Sequence, residues 1–180
     1  MIDLEKVQTN LVNWAVAQLP ANYPVILYYE NAPRPSKNYV TIDISTFIQI
    51  GQDYTPRPQD NPGEVEQIGD REFTVNIQAY GGDPIGILEI LRTSLQKQTV
   101  LDTLRVNGIV FAQQFQILDI TELVNTRFEK RATMDILFRM GQTYGDELGS
   151  IATVEILEEF LQGDAVVISE NVTVTVEPTP

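Results

Sequence analysis

The chain has no cysteine and no histidine among its 180 residues. Their absence removes disulfides, thiolate nucleophiles, imidazole general bases, zinc sites built on His or Cys, and triads of the Ser-His-Asp kind. What catalysis remains would rest on carboxylates, paired as acid and base or ligating a hard cation. Asp43, Asp53, Asp70, Asp83 and Asp135 are carboxylate candidates only in a weak sense, because nothing in their spacing pairs them. No residue is therefore singled out as catalytic, cofactor-binding or metal-binding, and no cofactor is expected.

Basic residues are also scarce: 12 Lys and Arg stand against 25 Asp and Glu, a formal charge of −13. Affinity for a phosphate backbone comes from cations displacing counterions, so this chain is a poor nucleic-acid clamp, although it is suited to lie near DNA without gripping it. Long apolar runs are missing too. None approaches the roughly 20 residues that cross a bilayer, and the segment from Met1 to Leu19 carries Asp3, Glu5 and Lys6 instead of the basic start and apolar block of a signal peptide. The expectation is a soluble protein with no membrane partner.

What is present is alternation. From Arg127 to Met140, Phe128, Ala132, Met134, Ile136, Phe138 and Met140 share one side, interrupted by Lys130, while Glu129, Arg131, Thr133, Asp135 and Arg139 share the other, with Leu137 its one apolar exception. A period of two over that length predicts a long strand with one buried face. Val40, Ile42, Ile44, Thr46, Ile48 and Ile50 repeat the pattern against Tyr39, Thr41, Asp43, Ser45, Phe47 and Gln49. Phe73, Val75, Ile77 and Ala79 do so within Glu72 to Tyr80. Ile109, Phe111, Phe115 and Ile117, with Gln113 in register, predict a fourth strand, entered through an Asn107-Gly108 type I′ turn.

Two helices are predicted to cover that sheet. Leu4, Val7, Leu11, Trp14 or Ala15, and Leu19 recur at helical spacing before Pro20. The second starts at Asp83-Pro84, a capping carboxylate followed by a residue with no N–H to orphan, and carries Ile85, Leu88, Leu91 and Leu95 on one side up to Lys97. The predicted fold class is α+β: a mainly antiparallel sheet of four to five strands, two helices on one face, and a C-terminal β extension.

The other segments have plain readings. Gly81-Gly82-Asp83 lacks the ending of a P-loop and the order of a dinucleotide loop, and its carboxylate would repel an anion, so helix capping accounts for it. Asp119 to Thr126 reads as a hairpin connection, without the alternating oxygen ligands and internal glycine of a calcium loop. The aromatic stretch Tyr23 to Tyr29 predicts an edge strand or surface ridge at a packing or subunit interface. Residues 51–69, with Pro56, Pro58 and Pro62, predict an irregular connection, either a mobile solvent loop or an arm ordering against another subunit. Beyond Gly145, residues 151–161 suit a strand or a short helix. Val166 to Val176 predict a small hairpin around Ser169-Glu170-Asn171 that adds to the main sheet or a neighbouring chain, with a loose Pro178-Thr179-Pro180 end. The expected organisation is one α+β domain over 1–145 containing the 51–69 loop, and a dependent β-ribbon over 146–180.

The order of these pieces resembles the phage neck or tail terminator proteins of the head-to-tail junction. The segments that carry the likeness are NWAVAQLP, YVTIDISTFIQIG, REFTVNIQAYGGDPIGILEILRTSL, RFEKRATMDILFRMG and GSIATVEI, spanning Leu4 to Ile156. The resemblance implies a structural virion subunit, not an enzyme, forming a homohexameric ring at the neck after assembly in the host cytoplasm. It would end the tail tube, join it to head-tail connector and neck proteins, and let the genome pass without sequence-specific binding. It leaves open whether the tail is contractile, and whether the proline-rich loop reaches sheath, tube or connector. It transfers no active-site residue. The competing readings are another tail-tube or connector component and a carboxylate-dependent hydrolase; distribution along the tail, or acids converging in a concave pocket, would distinguish them.

Overall fold

A computed structural model describes residues 2–29, 35, 38–55, 64–124, 126–147, 153–162 and 165–175. Residues Asn31 to Arg34, Pro56 to Pro62, Ile151 and Val176 to Pro180, on which parts of the expectations above fall, lie outside them. The chain divides into two compact units, Met1–Asp53 with Gly69–Gln142, and Tyr54–Ile68 with Thr143–Pro180.

The first unit opens with helix α1 (Leu4–Gln18), capped by Asp3, whose carboxylate accepts from Lys6 N–H at 3.0 Å. Its stripe of Val7, Leu11, Trp14 and Ala15 is buried as the spacing predicts, while Leu4 stays exposed. Strand β1 (Val25–Leu27) runs parallel to β2 (Tyr39–Tyr54), with Val25 beside Val40. Strand β3 (Glu64–Tyr80) leads through Gly81-Gly82 into helix α2 (Pro84–Ser94), where Asp83 accepts from Gly86 N–H at 3.2 Å and Pro84 takes the first turn. Helix α3 (Gln98–Val106) follows, then β4 (Val110–Gln114), β5 (Leu118–Asp119), β6 (Glu122–Val124), β7 (Arg127–Glu129) and β8 (Arg131–Glu147). The main sheet has the order β1-β2-β3-β8-β4, with β5 also on β8. Side-chain contacts of 67 with 144, 72 with 139, 76 with 133 and 78 with 131 place β3 and β8 antiparallel.

The α+β class therefore holds, with corrections. The sheet is mixed and six-stranded, since β1 is parallel. A third helix, α3, lies where none is expected: it is nine residues long and starts after Lys97 with no side-chain cap to mark it in sequence, and it buries Val100 and Leu104. Nor do Asn107 and Gly108 make a type I′ turn, which needs positive φ at both central residues. Asn107 has φ −91° and Gly108 φ +77°. Gly108 N–H donates to Arg105 O and Ile109 N–H to Leu104 O, so the pair ends α3 in a Schellman motif with Ile109 and Leu104 buried together.

All three helices bury their apolar sides on one face of the sheet. Phe73, Val75, Ile77 and Ala79 from β3 and Ala132, Met134, Ile136 and Phe138 from β8 form the floor, each at most 1% exposed. Phe138 sits at the centre, with ring contacts to Trp14, Phe73 and Phe111 at 5.8 to 6.3 Å. Trp14 Nε1–H donates to Ser94 Oγ, whose hydroxyl donates to Leu91 O, so the polar atoms between α1 and α2 are satisfied. On α2 the covered side is Pro84, Ile87, Leu88, Leu91 and Ser94; Ile85 is exposed.

Three strands depart from simple alternation. Along β2 the phase changes between Ile44, which packs on the core, and Phe47, which stacks on Phe73 at 5.9 Å, leaving Ile48 exposed. A register shift in β4 between Phe111 and Gln113 sets Gln113 opposite Leu137 and Gln114 opposite Ile136, so Gln113 leaves the apolar register. The strand expected from Arg127 to Met140 is broken at Lys130, whose carbonyl accepts from Gly81 N–H. Its first part, β7, pairs with β6 in a separate hairpin, and Phe128 is exposed. The irregular connection expected over 51–69 is shorter than that, since β2 continues to Tyr54 and β3 begins at Glu64.

In the second unit, Tyr144 Oη donates to Gln67 Oε1 at 2.7 Å. Strand β9 (Thr153–Gln162) pairs antiparallel with β10 (Ala165–Thr175) in a two-stranded sheet. This resolves the strand-or-helix ambiguity at 153–161 in favour of strand. Ser169, Glu170 and Asn171, expected at a turn, lie inside β10 opposite Glu159, Glu158 and Leu157.

Candidate assembly surfaces

The sheet face opposite the helices carries a connected polar ladder. Alternation along β3 and β8 puts Glu72, Asn76, Gln78 and Tyr80 beside Arg131, Thr133, Asp135 and Arg139. Asn76 Nδ2–H donates to Thr133 Oγ1 and Asp135 Oδ1, Gln78 Nε2–H to Asn76 Oδ1, and Tyr80 Oη–H to Gln78 Oε1. Arg131 also donates to Gln78 Oε1 and lies over the Tyr80 ring, which stacks on Tyr39 at 4.3 Å between centroids. Arg139 Nε–H reaches Glu72 at 2.8 Å. Held in place by one another, these side chains form a fixed surface and not a fringe of free charges.

At the edge of the first unit, Arg71 donates to both oxygens of Asp53, at 2.7 and 2.6 Å. The side chains are 10% and 7% exposed, so this is a buried bidentate pair. Arg71 continues the core-facing series of Phe73, Val75 and Ile77, and replaces apolar packing with an ion pair where that series ends. Gly69 lies directly beneath. A Cβ there would fall 1.9 Å from Asp53 Oδ1, so only glycine admits the carboxylate.

The third surface is the β6–β7 hairpin. Leu123 and Phe128 are directly opposite, hence on one face, and are 57% and 75% exposed. Asp119 accepts from the Thr121 hydroxyl and N–H at the hairpin's entry, which holds its carboxyl below the usual range, the hydroxyl contributing most. Beside the hairpin a cavity of about 500 Å³ is lined by Asn38, Tyr39, Tyr80, Arg127, Phe128 and Lys130, among others.

The five carboxylates considered from sequence do not converge. Asp53 is spent on Arg71, Asp83 caps α2, Asp135 accepts from Asn76, and Asp70 is exposed. Asp43 is half-buried on β2, and desolvation raises its carboxyl pKa against the lowering effect of the Ile44 N–H. No group of three or more acids that could hold a metal occurs among the described residues. Among the described residues no helix is long and apolar enough to cross a membrane. Sequence reasoning missed the Tyr39–Tyr80–Arg131 stack and the exposed Phe128. Its available signal was Lys130, the charged residue that interrupts the apolar side of the alternating run.

The profile of a family described as phage neck terminator protein matches residues 4–173. No curated protein matches the chain. Among solved structures, the sheath/tube terminator of an extracellular contractile injection system, PVC, in the extended state is similar with a TM-score of 0.50 and 11% identity. The likeness covers 92% of this chain and 65% of that one, so the chain spans about two thirds of its length and shares its fold.

Proposed function

The chain belongs to the phage neck terminator family, and from that premise we propose that its copies form a ring that ends the tail tube and joins it to the head connector. Ending the tail is a structural role. The observation that carries the reading is the extent of the match, 4–173, which includes the helix-covered sheet, the hairpin and the C-terminal ribbon alike. The ring is a hexamer in the neck of the virion, assembled in the host cytoplasm, with tail tube and connector proteins as its neighbours.

The action is assembly and not catalysis. Its rigid sheet, fixed on one side by the aromatic core and on the other by the polar ladder, supplies surfaces that keep their shape as they meet a partner. The acidic balance of −13 supports a passage for DNA, because a wall with few cations offers few phosphate contacts. Labelling the protein in isolated tails and necks and imaging them by electron microscopy tests the reading. A ring of density at the head-proximal end of the tail is expected, with unterminated tails when the protein is missing. Label spread along the tube, or a single copy at the junction, would overturn it.

A further inference from the structure

The Asn107-Gly108 step makes no hairpin, and it carries a chemistry of its own. In an Asn-Gly pair the main-chain nitrogen of the glycine can attack the side-chain amide carbon of the asparagine, because no Cβ on the glycine stands in the way. This is the only Asn-Gly step in the chain. It is also accessible: Gly108 is exposed and Asn107 half-buried, and the space that a Cβ at Gly108 would fill is empty within 4 Å.

The fold restrains both reacting groups. Asn107 Nδ2–H donates to Thr103 O at 2.9 Å, which ties the amide back along α3, and Gly108 N–H donates to Arg105 O at 2.8 Å, which engages the proton the attacking nitrogen must lose. Both restraints belong to the last turn of α3, where Arg105 and Val106 are exposed. That helix has nine residues, no side-chain cap, and Val100 and Leu104 as its buried anchors, so its end opens at a lower cost than the central strands.

We propose that Asn107 is a deamidation site gated by the last turn of α3. When the turn opens, Gly108 N gives up its proton to hydroxide and bonds to Asn107 Cγ, the Cγ–Nδ2 bond breaks, and ammonia leaves a cyclic succinimide. Water then opens the ring at either carbonyl to give aspartate or isoaspartate, so that amide and water become carboxylate and ammonium with no change of oxidation state. The aspartate product has lost the donor that bonded Thr103 O, and it sets a negative charge at the negative end of the helix. The isoaspartate product adds a methylene to the main chain just before the buried Ile109. Either product weakens the turn that guarded the site.

The full chain is aged in mildly alkaline buffer, folded or unfolded in urea, then digested and read by mass spectrometry with isoaspartate detection. Asn107 is expected to convert before every other asparagine, and at least about tenfold more slowly in the folded chain than in urea. Val100→Ala, which removes part of the helix's anchor, is expected to speed conversion of the folded chain by about tenfold and to leave the rate in urea unchanged. Hydrogen exchange at Gly108 N–H rises in step, and a cooperative melt verifies that the variant folds. A different asparagine converting first overturns the site. Equal rates in folded and unfolded wild-type chain overturn the gate, and this comparison needs no variant. Faster exchange in Val100→Ala without faster conversion overturns it as well.

Discussion

The pair of Asp53 and Arg71 shows how one residue's position decides whether a charge is tolerated. Each is nearly buried, and each satisfies the other through two parallel hydrogen bonds. Removing one partner strands the other in a desolvated site, so Asp53→Ala is expected to destabilise by about 3–5 kcal/mol, read by chemical denaturation. Replacing both, as Asp53→Leu with Arg71→Met, should recover most of that loss. Recovery no better than the single variant would contradict a pair that acts as a unit. Asp43 offers a milder test with the opposite sign. Its carboxyl is raised by desolvation, so the folded state prefers it protonated, and ionisation costs stability once pH rises through the folded pKa. Asp43→Asn is expected to raise the melting temperature slightly at pH 7, with the gain fading as pH falls toward the ordinary Asp range and vanishing about a unit below it, where the unmodified carboxyl is protonated in both states. A gain independent of pH would point to a cause other than charge.

At the scale of elements, strand β8 is the keystone, since β3 and β4 flank it and β5 also pairs with it. Ile136 is fully buried at its middle, and Ile136→Asp should leave the chain without a cooperative melt, because an unpaired charge then replaces core packing. A near-native transition in that variant would contradict the core geometry. The central strands were legible in sequence because one buried face imposes a period of two, and α1 and α2 because their stripes and caps are local signals. Helix α3 was not legible because it is short and starts without a capping side chain, so the local start signal that marks α1 and α2 is missing. The shifts of phase at Phe47 and Gln113 and the break at Lys130 were hidden for another reason. Alternation specifies which residues share a face, and bulges and strand breaks are set by contacts with distant segments, such as Gly81 N–H on Lys130 O. Assembly surfaces were the least legible. Phe128 reads as a core candidate from its place in the alternating run, until β7 is seen to pair with β6 apart from the main sheet and leave its ring exposed.

For the whole molecule the controlling quantity is charge. With 25 acids against 12 bases, the chain presents few groups that would retain a passing phosphate backbone. By alternation Glu72, Glu129 and Asp135 fall on the solvent side of their strands, which makes them the first acids to consider for a channel wall, and the structure shows how two of them are used. Glu72 holds Arg139 and Asp135 accepts from Asn76, so replacing either would disturb the polar ladder as well as the field. Exposed acids such as Asp70 make cleaner probes once those facing the channel have been mapped in assembled necks. Exchanging one mapped acid for Lys should leave ring formation intact and slow genome release. In the proposed ring of identical copies, one substitution would introduce a full circle of phosphate contacts. Those contacts weaken as salt rises, so the delay should be largest at low ionic strength and shrink toward wild type near physiological salt. Genome ejection timed at several salt concentrations decides the matter. A delay that ignores salt would indicate a distorted passage, and unchanged ejection at every ionic strength would remove the physical basis for a low-adhesion channel even with the ring seated at the neck.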